Sequence, residues 1–262
     1  MISAVKIRAL GFLLFAVAAH GQRPKFDAFE VAAVKRTPPE WTRGRFIRME
    51  SGNRLVVRNN TLKRMLGAAY NLPNGLISGG PAWIDTDSYD VVAVTPGEVR
   101  PSQGEQMKML RQLLKERFQI EFHWEKKTMA AYLLSVDKDG VKFKSSEGDK
   151  EDQPALLNSI FPDHVEMPAK NASIGDFASL LQRSVLERPV VDRTGMAGRY
   201  DFKLEWAADG SQFGGMLPAA AEPPKHPDLY AAVRQQLGLR LEAGRAAVDT
   251  MAVERAERPS EN

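Results

Sequence analysis

The chain has 262 residues, 36 basic against 33 acidic, and no cysteine. That length can bury a sizeable core and suits one large domain or two small ones. Thiol catalysis, thiolate zinc sites, iron–sulfur clusters and disulfides are excluded. Basic and acidic residues interleave and form no block, so no phosphate-tracking surface and no nucleic-acid partner are expected.

Residues 1–21 read as a signal peptide. Lys6 and Arg8 form a short positive start, Ala9 to Ala18 is an apolar stretch, and Ala18 or Gly21 ends a small-residue cleavage region. The apolar stretch is shorter than the roughly 20 residues a membrane-spanning helix needs, and no later segment is apolar enough, so no transmembrane segment is expected after cleavage. The expected location is outside the cytoplasm, periplasmic or extracellular.

The strand candidates begin with Phe29–Val34, followed by Arg45–Glu50 and Arg54–Arg58, the last two joined by Ser51-Gly52-Asn53. Asn60 is the expected cap of a helix with Leu62, Met65, Leu66 and Ala69 on one face, stopped by Pro73-Asn74-Gly75. Short strands around Leu76–Ser78 and at Tyr89–Val94 follow. A second helix, Met107–Phe118, precedes strands Gln119–Trp124 and Ala131–Val136. Ser173 caps a third helix, with Phe177, Leu180, Leu181 and Val185 on one face. After it comes an expected hairpin of Val190–Val191 and Arg199–Trp206, in which Tyr200, Phe202, Leu204 and Trp206 share one face. A fourth helix, Leu229–Leu237, is capped by Asp228 and stopped by Gly238, and strands Leu239–Glu242 and Val248–Arg255 end the series.

Helix, strand, strand thus recurs about four times, a repeat signal. The expected fold class is α+β: repeated helix-plus-β-hairpin units packed around mixed or antiparallel sheets. Residues 22–144 form an N-terminal half, the polar stretch 145–156 a linker, and residues 157–262 a C-terminal half with a Gly/Pro-rich loop at 208–227.

Several stretches jointly resemble a family of secreted bacterial proteins of unknown function, numerous in soil acidobacteria. They are Gly79-Gly80-Pro81 with Trp83, Arg188-Pro189-Val190-Val191-Asp192 with Thr194-Gly195, Gly198-Arg199-Tyr200-Asp201-Phe202, Gln236-Leu237-Gly238-Leu239, and Glu257-Arg258-Pro259-Ser260-Glu261-Asn262. The sequence departs from the family at Val253-Glu254-Arg255, where a more apolar strand is usual. The resemblance supplies no catalytic or binding residues. It implies a sensing or binding role, since related domains accompany membrane sensor proteins resembling metallopeptidases.

The residues themselves offer little chemistry. No H-E-x-x-H is present among His20, His123, His164 and His226, and no metal site or cofactor is expected. His123 and Glu125 share a strand face. Ser135-Val136-Asp137-Lys138 matches S-x-x-K but stands out of order with the other penicillin-binding motifs. Asp192-Arg193-Thr194-Gly195 reads as a turn in which Asp192 and Thr194 bond the backbone and Gly195 takes a positive φ. No catalytic residue is assigned. The candidate ligand contacts are Trp83, His123, Trp124, Asp192, Arg193, Arg199 and Trp206. The expected function is a non-catalytic binding or interaction module of the cell envelope, with an envelope protein or a small ligand as partner. The alternative is a secreted hydrolase using surface carboxylates and His123.

Overall fold

The computed structural model describes residues 23–148, 154–217 and 224–260; the expected signal peptide lies outside these residues. Strands β1 (Val31–Arg36), β2 (Phe46–Ser51) and β3 (Arg54–Thr61) lead into helix α1 (Leu62–Tyr70), then β4 (Ile77–Gly79), the single turn α2 (Trp83–Thr86), β5 (Ser88–Val94), α3 (Gln103–Phe118) and β6 (Glu121–Val136). The short strands β7 (Lys144–Ser145), β8 (Ala155–Leu156) and β9 (Ser159–Ile160) precede β10 (Val165–Ala172), α4 (Ile174–Leu180), β11 (Val190–Asp192), β12 (Tyr200–Trp206), α5 (Leu229–Leu237) and β13 (Leu239–Arg255).

The helices start where short polar side chains replace missing intrahelical bonds. Ser102 with Glu105 and Ser173 with Asp176 form capping boxes, and Asp228 accepts from the Ala231 N–H. The cap of α1 is Thr61, not Asn60: its hydroxyl accepts from Arg64 N, whereas the Asn60 amide donates to Phe46 O and Arg58 O. Gly238 ends α5 at φ +64°, and a Cβ there would lie 1.9 Å from Gly140 O, so only glycine fits.

The described residues form an α+β fold with three sheets. The first is antiparallel, in the order β1-β5-β3-β2; the second is β7-β12-β10-β8, with β9 also on β10; the third is mixed, β11-β6-β13-β4. In the third sheet β6 and β13 run antiparallel from Leu239 opposite Val136 to Arg255 opposite Glu121. Two expected strand pairs are therefore two continuous strands: residues 125–130 and 243–247 stay in the ladder. The expected hairpin of residues 190–206 is not formed either. β11 pairs parallel with β6, while β12 pairs with β10 in another sheet. A helix-plus-hairpin unit repeated four times does not emerge, because α3 and α5 each lead into one long strand.

Two cores result. One sets α1 and α3 against the first sheet, with Leu62, Leu66, Tyr89, Leu114 and Phe118 at its centre. The other sets α4 and α5 against the second, around Phe177, Leu204, Trp206, Leu229 and Val233. The long strands serve both: Leu134 and Leu239 enter the second core, Met251 and Val253 the first. The two expected halves thus share one sheet. At the two ends of the expected linker, residues 144–145 and 155–156 pair as edge strands. Within the Gly/Pro-rich stretch, Phe213 is buried and stacks on Trp206.

Each outer sheet carries the same irregularity. Asn59 and Asn171 take positive φ beside a bulge, and each backbone N–H donates to an aspartate on the neighbouring strand, at 3.0 Å to Asp90 and 2.9 Å to Asp201. The Asn171 N–H, followed by the Lys170 ammonium, holds the Asp201 carboxyl at about 2, below the ordinary 3.8. A depressed carboxylate stabilises the fold above the unfolded pKa and loses that contribution as pH falls through the folded one. Asp201→Ala should therefore cost about 1–3 kcal/mol in urea unfolding at pH 7. The gap to the parent should close between about pH 4 and pH 2. An unchanged midpoint at pH 7 would show that the bulge needs no carboxylate.

Candidate functional site

The sequence-predicted residues do not converge. Trp83 is half-buried on α2, stacked on Phe118 at 6.3 Å, with the Arg258 guanidinium 5.2 Å over its ring. Arg258 also donates to Asp87 at 2.9 Å, so residues near the C-terminus cover the tryptophan. The Gly79-Gly80-Pro81 stretch is what seats it. At Gly79 (φ +77°) a Cβ would lie 2.5 Å from Val253 O, so glycine allows β4 to close on β13. Trp206 is fully buried and donates to Gln212 Oε1 at 2.8 Å; it is a core residue and offers no surface to a ligand. Asp192 accepts from the Thr194 N–H and hydroxyl, forming the expected turn, and Arg193 N is bonded to Leu134 O.

His123 and Trp124 alternate on β6 and face opposite ways. Trp124, 48% exposed, meets Phe122 and Tyr70 edge-on at 5.8 and 6.0 Å. On the other face, His123 Nδ1 lies 2.6 Å from Glu254 Oε1 and Nε2 lies 3.1 Å from Glu125 Oε1. The ring is half exposed and lines neither of the two clefts below.

One cleft, of about 410 Å³, opens where α1, α3 and α4 meet. Arg111, Arg183 and Arg199 line it, with Asp176 as its one carboxylate among the described residues and Met107 and Leu156 as apolar walls. The seam is held by Asn71 Nδ2 donating to Ser179 Oγ at 2.7 Å and by Gln182 Nε2 donating to Asn71 O at 3.3 Å. Arg111 donates from Nε to Ala69 O, and Arg183 from Nε to Ser179 O. Arg199 Nη1 donates to Asn171 O at 2.9 Å and stands 3.7 Å from Asp176. Each guanidinium is thus fixed by a main-chain carbonyl and keeps further donors. Only Arg199 was foreseen. Arg111 and Arg183 stand on separate helices, and no local pattern in the chain announces their meeting. Arg111 also lies 5.1 Å over Tyr70, which joins the cleft to the Trp124 aromatic patch.

A second cleft, of about 440 Å³ and more apolar, lies between residues 160–165 and the start of α5. At its edge Phe161, His164 and His226 stack, with ring centroids 4.7 and 4.4 Å apart. Asp163 Oδ1 is 2.8 Å from His164 Nδ1, and that hydrogen bond holds the Asp163 carboxyl below its ordinary value.

The chain belongs to a protein family of unknown function, DUF3738, whose model matches residues 63–256. That match spans α3, both long strands and the arginine cleft. No curated protein matches the chain significantly, and neither does any solved structure.

His123 supplies a local test. Its hydrogen bonds to Glu254 and then Glu125 raise its pKa above 6.5. The stability this gives is complete below the unfolded pKa and is lost as pH rises through the folded one. NMR titration should give a His123 midpoint above 6.5, and Glu254→Gln should bring it back toward 6.5. A midpoint the same in both proteins would mean that the pair does not form in solution.

Proposed function

We propose that the chain is an exported, non-catalytic binding module that takes a small organic anion into the cleft between α1, α3 and α4. The observation that carries this reading is the set of three guanidinium groups that, among the described residues, face a single carboxylate in one concave space. Guanidinium forks suit carboxylate and phosphate groups, since they offer paired donors in a plane. Each of the three is positioned by a main-chain acceptor, which lowers the cost of ordering it on binding. Met107 and Leu156 offer apolar contact to the body of such a ligand. The α3 N-terminus at Ser102, Gln103 and Gly104 adds a positive dipole end, although Glu105 already occupies its cap.

Export rests on the order of positive, apolar and small residues in 1–21. The absence of cysteine is compatible with it, because stability is then carried by burial and backbone pairing. A hydrolase centred on His123 would need a concave site around that ring, and an exposed strand face gives it little support.

Calorimetric titration of the protein with citrate, pyrophosphate and a short poly-glutamate peptide tests the reading. At least one probe should bind saturably and weaken as salt rises from about 0.05 to 0.5 M. Arg111→Ala and Arg183→Ala should each weaken it about tenfold or more, as expected for losing a charge-assisted pair. If no probe binds, or if both variants bind like the parent, the cleft is not an anion site.

A further inference from the structure

We propose that Asp163, His164 and His226 form a binding site for a divalent transition metal, zinc or a neighbour in its series, at the mouth of the second cleft. The three side chains come from two distant stretches of chain, yet their ligand atoms all lie within 4.8 Å of one another. Nothing in their sequence spacing brings them together; two backbone features do. Val165 is paired with Trp206 across β10 and β12, which places His164 beside the end of β12. Ala207 N, the next residue, donates to Pro227 O at 2.9 Å, which ties His226 to the same point. The turn carrying Asp163 is itself closed by Phe161 N donating to His164 O at 2.8 Å. The histidines therefore stand on secured backbone.

The donor set is chemically specific. Two imidazoles and one carboxylate match the ligand set of an open, three-residue zinc centre, and imidazole also suits copper and nickel. Both histidines are half-buried, which shields a bound ion from bulk water on one side. On the other side the cleft, walled by Ile160, Phe161 and Leu217, leaves room for a fourth ligand with an apolar body. A tetrahedral site at roughly 2.0–2.1 Å per nitrogen sets ligand atoms closer than the present spread. Metal capture must therefore turn the imidazoles out of their stacked arrangement. The metal displaces the proton now shared by Asp163 and His164, and that proton goes to solvent. This site is independent of the arginine cleft, with which it shares no lining residue.

The test uses the untagged full chain, stripped with a chelator and titrated with zinc chloride in a calorimeter. Binding should be one to one, and His164→Ala and His226→Ala should each weaken it tenfold or more. His226→Gln keeps the side chain's bulk and should behave like His226→Ala, which guards against a folding defect. Cobalt(II) loading should give visible absorption bands that the same variants lose. His123→Ala removes the other imidazole set between carboxylates and should leave both readouts unchanged. Failure of the parent to bind zinc overturns the proposal. So does binding that survives His164→Ala with His226→Ala, or that disappears with His123→Ala.

Discussion

The pairing of β6 with β13 is the constraint on which the rest depends. These strands run 16 and 17 residues, three times the usual length, so the ladder is about 55 Å long. Neither core is complete without it. The second core takes Leu134 and Leu239 from one end, and the first takes Met251 and Val253 from the other. Each buried aliphatic side chain is worth about 1.5–3 kcal/mol, so detaching one end of the ladder would cost a core several such contacts. The connection is also reciprocal. β4, which follows α1, pairs parallel with β13, and β11, which follows α4, pairs parallel with β6. Each half of the chain thus lends a strand to the long strand of the other. The arginine cleft lies where α1 and α3 of one half meet α4 of the other, halves that the ladder joins.

Local chemistry made the helices legible. Ser173 and Asp228 announce helix starts because a capping side chain acts within three residues of itself, and Gly238 announces an end because its φ is positive. Ser102 caps α3 in the same way, so that helix starts at Gln103 and not at the expected Met107, because the polar first turn carries no apolar stripe. Asn60, intrinsically the better cap, does not serve as one because the bulge at Asn59 turns its amide back onto β2, leaving the capping role to Thr61. The long strands were hidden for a different reason. In their middle, at Glu125-Lys126-Lys127-Thr128 on β6, the apolar alternation lapses because that stretch packs under neither core. Read for pattern alone, such a stretch looks like a turn. What keeps it extended is the partner strand, which no local pattern reveals.

The same distinction separates the site residues. Trp206 alternates with Phe202 and Leu204 as a core-facing strand should, and burial is the plain consequence. The Asp192 turn was legible because an aspartate bonding the N–H two residues on is a local event. Arg111, Arg183, His164 and His226 carry no such local mark. Their significance lies in which strand faces which, and in single main-chain bonds such as that from Ala207 to Pro227.

The ladder of β10 and β12 places the two clefts. At one end Ala172 faces Tyr200, with Asp176 and Arg199 just beyond it at the arginine cleft. At the other end Val165 faces Trp206, with His164 and, through Pro227, His226 alongside. Eight residues of β10 set these ends about 25 Å apart. That distance exceeds twice the screening length of about 8–10 Å at moderate salt, so charge at one cleft is little felt at the other through solvent. Any coupling between them has to pass through the strands, and the bulge at Asn171, anchored by Asp201, sits on that route next to Arg199. A rigid bulge keeps the Asn171 carbonyl where Arg199 needs it. The geometry of the anion cleft is therefore a property of the second sheet as much as of the helices that line it.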